Sequence, residues 1–257
     1  MSKRVAVLSY ANIGNFGDRL GYHLVNGVVP PSAEVQHLFF EPWTPVDIER
    51  YDLLIVGIGN SIFRPLLTDP LQDLVSRAPR AIGIFGTQYR SAIPEDRLAA
   101  LLGGLDMWFA RSAEDIQLYG HHARAVTHLG DWLIEAFPMT RAPLDDRLAI
   151  GSPVLNNLPL DRIIQEIQRH QRVFSPRLHP LLCALTSARE VEYAEQREQA
   201  GSDEVSGKFG SMLVDVFGQT YPENIPWAVD RAKVVAYKEQ VAANVAGLKR
   251  YIAEALA

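Results

Sequence analysis

Arg177 and His179, with Ser175 just upstream in the run Ser-Pro-Arg-Leu-His, are the residues best placed by type and spacing to do chemistry. Arginine is a permanently charged fork of donors and histidine exchanges protons near neutral pH. Both are costly to bury without a partner. The run lies between Val173-Phe174, apolar like the end of a buried strand, and Leu181-Leu-Cys-Ala-Leu185, apolar like a buried helix. A strand-to-helix junction puts these side chains at a helix N-terminus, where free N–H groups and the macrodipole favour an anion. Two readings fit this window alone. Either the pair binds an anion and moves a proton, or Arg177 meets a structural carboxylate and His179 caps the helix. Proline disfavours helical backbone in the residue before it, so Pro176 and Pro180 predict extended Ser175 and His179 and a helix starting at Pro180.

A second polar cluster lies near the start, in Tyr10-Ala-Asn-Ile-Gly-Asn-Phe-Gly-Asp-Arg-Leu-Gly21, directly after the apolar run Val5–Leu8. Between a strand and a helix this loop offers backbone N–H groups, the carboxamides of Asn12 and Asn15 and the carboxylate of Asp18. Its glycines permit close approach to a phosphate or sugar oxygen. Glycines at 14, 17 and 21 match neither a phosphate-binding P-loop nor the dinucleotide fingerprint. Asp18 either faces a ligand or caps the helix.

The elements that must position these clusters are legible as apolar runs. Val5–Leu8, Val35–Phe40, Tyr51–Val56, Ala81–Phe85, Asp106–Ala110 and Ala125–Leu129 read as strands. Leu66–Val75, Arg97–Leu102 and Ala113–Tyr119 have helical spacing between them. The alternation predicts an α/β fold with a mostly parallel sheet covered on both faces. Ligands in such sheets sit off the carboxyl ends of the strands, where Gly57, Gly59, Asn60 and Gly86 fall, although short turns need glycine anyway. The prolines, aspartates and arginines of Phe137–Arg147 predict a linker between a domain over 1–137 and one over 148–257. Beyond it, Leu148–Ile150, Val154-Leu155 and Glu190–Ala194 look strand-like and Leu160–His170 is an amphipathic helix. Gln196–Ser206 is a polar loop, Lys208–Phe217 looks helical, and Val241, Val245, Leu248 and Ile252 mark a helical tail. The second part is therefore small, with three or four strands.

Composition excludes several classes. A net charge of −5 without a basic block gives no nucleic-acid footprint. The apolar runs are too short for a signal peptide or a membrane span. One cysteine, Cys183, supports no disulfide framework, so a reducing cytoplasm is the expected setting. His121 and His122 are adjacent, with no carboxylate at ligand spacing, and no metal site is expected. Trp43, Trp132 and Trp227 offer faces for sugar rings or fill core, and Trp108 is expected in the core.

Taken in order, Asn12-Ile-Gly-Asn-Phe-Gly-Asp-Arg-Leu-Gly21, Ala110-Arg-Ser112, Gly130-Asp131 and Ser175-Pro-Arg-Leu-His179 resemble the polysaccharide pyruvyl transferase family. Val191-Glu-Tyr193 and Ser206-Gly-Lys-Phe209 look like its C-terminal pattern, and the resemblance runs from residue 4 to about residue 220. It implies two Rossmann-like halves facing across a cleft (GT-B-like). The implied activity moves a carboxyethylidene group from phosphoenolpyruvate, without a further cofactor, to a glycan or lipid-linked oligosaccharide at the cytoplasmic side of the inner membrane. Arg177, Ser175 and Lys208 would bind the donor, His179 would be the acid–base group beside Arg177, and Asn12, Asn15, Asp18, Gly59 and Asn60 would bind the acceptor. Lys208 reads equally as a solvated helix-end lysine. The chain departs from the family in the short interval from Leu148 to Arg177, so either a homo-oligomer completes the cleft or part of the acceptor platform is missing. Two alternatives stay open: a GT-B glycosyltransferase using a nucleotide sugar, for which no base-binding signature is evident, and a non-catalytic glycan-binding protein of the same fold.

Overall fold

A computed structural model describes residues 2–10, 15–151, 158–198 and 203–257. The first sheet has seven strands: β1 (Arg4–Ser9), β2 (Glu34–Phe39), β3 (Leu53–Val56), β4 (Ser61–Ile62), β5 (Ala81–Thr87), β6 (Met107–Ala110) and β7 (Val126–His128). Its order is β2-β1-β3-β5-β6-β7, with β4 paired to β5, and every pairing is parallel. The central strands are continuous apolar runs because both faces are covered. The side-chain period of two divides β1, sending Val5 and Val7 into one core and Ala6 and Leu8 into the other. Trp108 is fully buried and donates to the Phe85 carbonyl at 3.0 Å. On either side lie α1 (Phe16–Leu24), α2 (Asp69–Arg77), α3 (Glu95–Gly104) and α4 (Ala113–Tyr119). The chain leaves β1 for β2 on one side, then crosses to β3 on the other. The loops after β1 and β3 therefore diverge and open a crevice at a topological switch point.

The second sheet is small: β8 (Leu144–Ala149), β9 (His170–Ser175), β10 (Glu190–Tyr193) and β11 (Trp227–Ala228), in the order β11-β10-β9-β8. β8, β9 and β10 run parallel and β11 antiparallel. α5 (Leu160–Gln168) and α6 (Leu178–Leu185) make the crossovers, and α7 (Lys208–Phe217) follows β10. Helix α8 (Arg231–Ala255) ends the chain. No helix among the described residues is long and apolar enough to cross a membrane.

Several boundaries differ from the sequence reading. β8 begins at Leu144, inside the stretch read as linker. It is an edge strand whose Asp145, Asp146 and Arg147 are exposed, so it lacks the apolar alternation of a half-buried strand. α5 ends at Gln168 and His170 opens β9, with its Nδ1 2.7 Å from Asp146 Oδ1. α6 starts at Leu178, with Arg177 at the N-cap position, so His179 is helical and not extended. Proline in a first helical turn lacks only an N–H that has no intrahelical partner, so Pro180 costs this helix little. The strand-like Val154-Leu155 lies outside the described residues. α8, read with the second part, packs against the first: Asn244 donates to Leu129 O at 3.2 Å and Lys238 to Phe137 O at 2.9 Å. One core accordingly joins Val5 and Leu53 to Leu181, Val241 and Leu248.

Candidate active site

A cleft of about 520 Å³ opens at the switch point. Its walls include Tyr10, Asn15 and Asp18 after β1, Asn60 and Ser61 after β3, Arg111 after β6, Arg177 and His179 at the start of α6, and Lys208 at the start of α7. The two polar clusters, some 160 residues apart in the sequence, therefore share one cavity.

His179 is set by its contacts. Its Nε2 lies 3.4 Å from Asp131 Oδ2, at ion-pair distance, and neither atom makes an aligned hydrogen bond to another group among the described residues. The side chains of His179 and Asp131 are 11% and 1% exposed, so the carboxylate backs the imidazole from the protein side. Burial pushes the Asp131 carboxyl up, but the His179 imidazole and the Arg111 guanidinium outweigh it and hold the group below its usual value. The Tyr237 hydroxyl of α8 accepts from the Asp131 backbone N–H at 2.7 Å. A buried carboxylate behind an imidazole that faces a cleft is the arrangement that orients a proton-transfer histidine.

Opposite stands the start of α1. Asn15 is its N-cap, accepting from Gly17 N at 3.0 Å and Asp18 N at 3.2 Å through Oδ1. Its Nδ2 donates to Asp18 Oδ2 at 2.7 Å. Asn15, not Asp18, caps the helix, which leaves the Asp18 carboxylate directed along the cleft wall. Burial raises the Asp18 carboxyl, opposed by His179, Lys208 and Arg177.

The cleft also gathers cations. Arg111 is buried; its guanidinium donates to Gly59 O at 3.2 Å and Ser61 Oγ at 2.9 Å, and it joins no ion pair among the described residues. Lys208 donates to Gln196 Oε1, and burial followed by repulsion from Arg111 and Arg177 lowers its ammonium to about 7, with Glu195 and Asp18 pulling the other way. The first N–H groups of α7 are taken by Glu195, whose Oε1 accepts from Phe209 and Gly210 at 3.2 and 3.3 Å. α6 has no such side-chain cap, so its first turn at Arg177 keeps its anion-attracting character.

The other expected site residues divide. Asn60 lines the cleft but spends Oδ1 on Ile58 N at 3.1 Å. Gly59 does not line it. Its φ of +101° and the Trp132 indole, 2.8 Å from where a Cβ would stand, make it a backbone device that offers its carbonyl to Arg111. Ser175 is fully buried and also away from the cleft wall. Its hydroxyl accepts from Arg177 N at 3.0 Å and lies 3.0 Å from Arg177 O, so it shapes the turn that presents Arg177. Asn12 lies outside the described residues. Sequence reasoning missed Arg111 and Asp131 as site residues, although both stand just beyond the carboxyl ends of strands, in Ala110-Arg-Ser112 and Gly130-Asp131. Tyr89, on the cleft wall with a left-handed φ of 52°, gave no signal.

No protein-family model matches the chain and no curated protein matches it. Among solved structures, an uncharacterised protein of Klebsiella pneumoniae aligns with a TM-score of 0.47 and 15% identity, over 75% of this chain and 83% of that one. An alpha-glucosyltransferase, in complex with UDP and a 13-mer DNA containing a HMU base, aligns with a TM-score of 0.39 and 9% identity, over 100% of this chain and 95% of that one. By its own sheet topology the chain is a mixed α/β protein, with a parallel seven-stranded sheet and a second, four-stranded sheet.

Proposed function

We propose that this chain transfers the carboxyethylidene group of phosphoenolpyruvate to a pair of hydroxyls on a sugar, its two sheets acting as facing halves of a GT-B-like cleft. The observation that carries the reading is the convergence of Arg111, Arg177 and Lys208 on the cavity that holds the Asp131-backed His179. A donor carrying both a phosphate and a carboxylate matches that excess of cation. A guanidinium binds either oxyanion in bidentate fashion, and the uncapped start of α6 adds backbone donors.

The chemistry needs a proton delivered to the methylene carbon of the enol and protons withdrawn from the attacking hydroxyls. His179 serves that traffic, with Asp131 stabilising the imidazolium. Protonation makes an oxocarbenium-like centre, which the first hydroxyl attacks. The C–O bond to phosphate then breaks, phosphate leaves, and the second hydroxyl closes the ketal. Of the two hydroxyl protons, one balances the proton placed on carbon and the other leaves with phosphate. Asp18 and Asn15 face this centre from the opposite wall and hold acceptor hydroxyls.

The test pairs thermal stabilisation with turnover. Phosphoenolpyruvate should raise the melting temperature while nucleoside diphosphates do not, and acceptor glycans should release inorganic phosphate. Protein that ignores phosphoenolpyruvate at millimolar concentration would end the proposal, and stabilisation by a nucleoside diphosphate would move the site to nucleotide-sugar transfer.

A further inference from the structure

His121 and His122 follow α4 in a short 3-10 turn, Gly120–His122. The fold sets Glu95, the first residue of α3, beside them. His122 Nε2 lies 3.2 Å from Glu95 Oε1, and the two imidazoles sit with ring centroids 3.8 Å apart. One ligand atom from each of the three residues falls within 4.8 Å of the other two. The sequence shows no carboxylate at ligand spacing from the histidine pair because Glu95 stands 26 positions earlier and is delivered by the packing of α3 against the turn.

The geometry points to a surface site for a divalent transition metal, held by His121, His122 and Glu95. Tetrahedral zinc with nitrogen and oxygen bonds near 2.0–2.1 Å places its ligand atoms about 3.3 Å apart. The Glu95–His122 pair already has that spacing, at 3.2 Å. His121 closes the remainder by side-chain rotation, since it is exposed and lies in no ion pair among the described residues. Two imidazoles and one carboxylate are a borderline donor set that suits zinc, nickel or copper and disfavours magnesium, which prefers oxygen ligands. Three protein ligands leave a fourth position to water. None of the three residues lines the cleft, so the ion would clamp the start of α3 to the end of α4, apart from the catalytic proposal.

Titration calorimetry on the untagged 257-residue chain with zinc chloride alone tests this, beside melting curves with and without zinc. The expected result is one zinc per chain at micromolar affinity and a rise in melting temperature. The double substitution His121→Ala/His122→Ala should abolish both, with an unchanged metal-free melting temperature. Glu95→Gln should weaken binding by about tenfold or more, the scale seen when a site loses a supporting carboxylate. His23→Ala, at another exposed histidine, should change nothing. Absence of zinc binding in the wild type, binding that survives the double substitution or follows His23, or equal binding of magnesium would each overturn the assignment.

Discussion

The imidazole of His179 occupies the space in which a side chain at residue 17 would stand: a Cβ on Gly17 would lie 1.7 Å from His179 Nδ1. The first turn of α1 and the first turn of α6 therefore touch through a glycine and a ring. Gly17→Ala should displace the imidazole and remove turnover. The fold should persist, because the backbone at residue 17 is outside the left-handed region and the three nearest atoms a Cβ would meet all belong to the His179 side chain, so the ring is what must move. Gly27→Ala, where nothing lies within 4 Å of the added Cβ, is the matched control. Equal activity in Gly17→Ala and wild type would show that the ring's position is irrelevant to the chemistry.

Asp131 backs that ring with a charge. Asp131→Asn keeps the shape but removes the charge that stabilises an imidazolium, so kcat should fall by about 10²–10⁴-fold, the scale of general acid–base catalysis. Affinity for phosphoenolpyruvate should be nearly unchanged. His179→Ala should do the same. Single-turnover kinetics beside donor binding checks both, and a loss confined to donor affinity would contradict the assigned roles.

Arg177 should act on binding. Arg177→Lys keeps the charge but loses the fork. A charge-assisted hydrogen bond contributes about 1.5–3 kcal/mol, so the dissociation constant for the donor should rise about 10- to 100-fold. Ser175→Ala removes a hydroxyl that meets only backbone groups, of Arg177 in the same turn and of Ile150 beyond β8, and should instead cost about 1 kcal/mol of stability with a smaller change in donor affinity. Calorimetric titration and denaturant unfolding of the two variants separate the effects.

Lys208 gives a pH dependence whose sign is fixed. Its ammonium is lowered from 10.5 to about 7 in the fold, so between those values the unfolded chain holds the extra proton. Stability from this group therefore rises with pH across that window, and the penalty for the buried charge is fully present below about 7. Lys208→Met should raise the melting temperature most at or below neutral pH, by about 2–4 °C for each kcal/mol relieved, and the gain should shrink towards pH 10. The same variant should weaken phosphoenolpyruvate binding below neutrality, where wild-type Lys208 is cationic. A pH series of melting curves decides it.

Local chemistry alone determined much of this protein. The continuous apolar runs required a covered parallel sheet, and the strand-to-helix junction at Ser175-Pro-Arg-Leu-His179 put a guanidinium and an imidazole at a helix start. The helix limits of Ala113–Tyr119 and Lys208–Phe217 followed from spacing as well. What packing alone decided is everything that depends on a partner distant in the chain. Asp131 behind His179, Arg111 beside Lys208, Glu95 beside His122 and α8 laid back on the first part of the chain leave no periodic trace. Only the end of β8, from Leu148, was legible: Asp145, Asp146 and Arg147 of this edge strand stay in water, so its first half carries no apolar signature. Periodicity records which face of an element is dry, whereas the identity of the group across a cleft is set by how the elements pack.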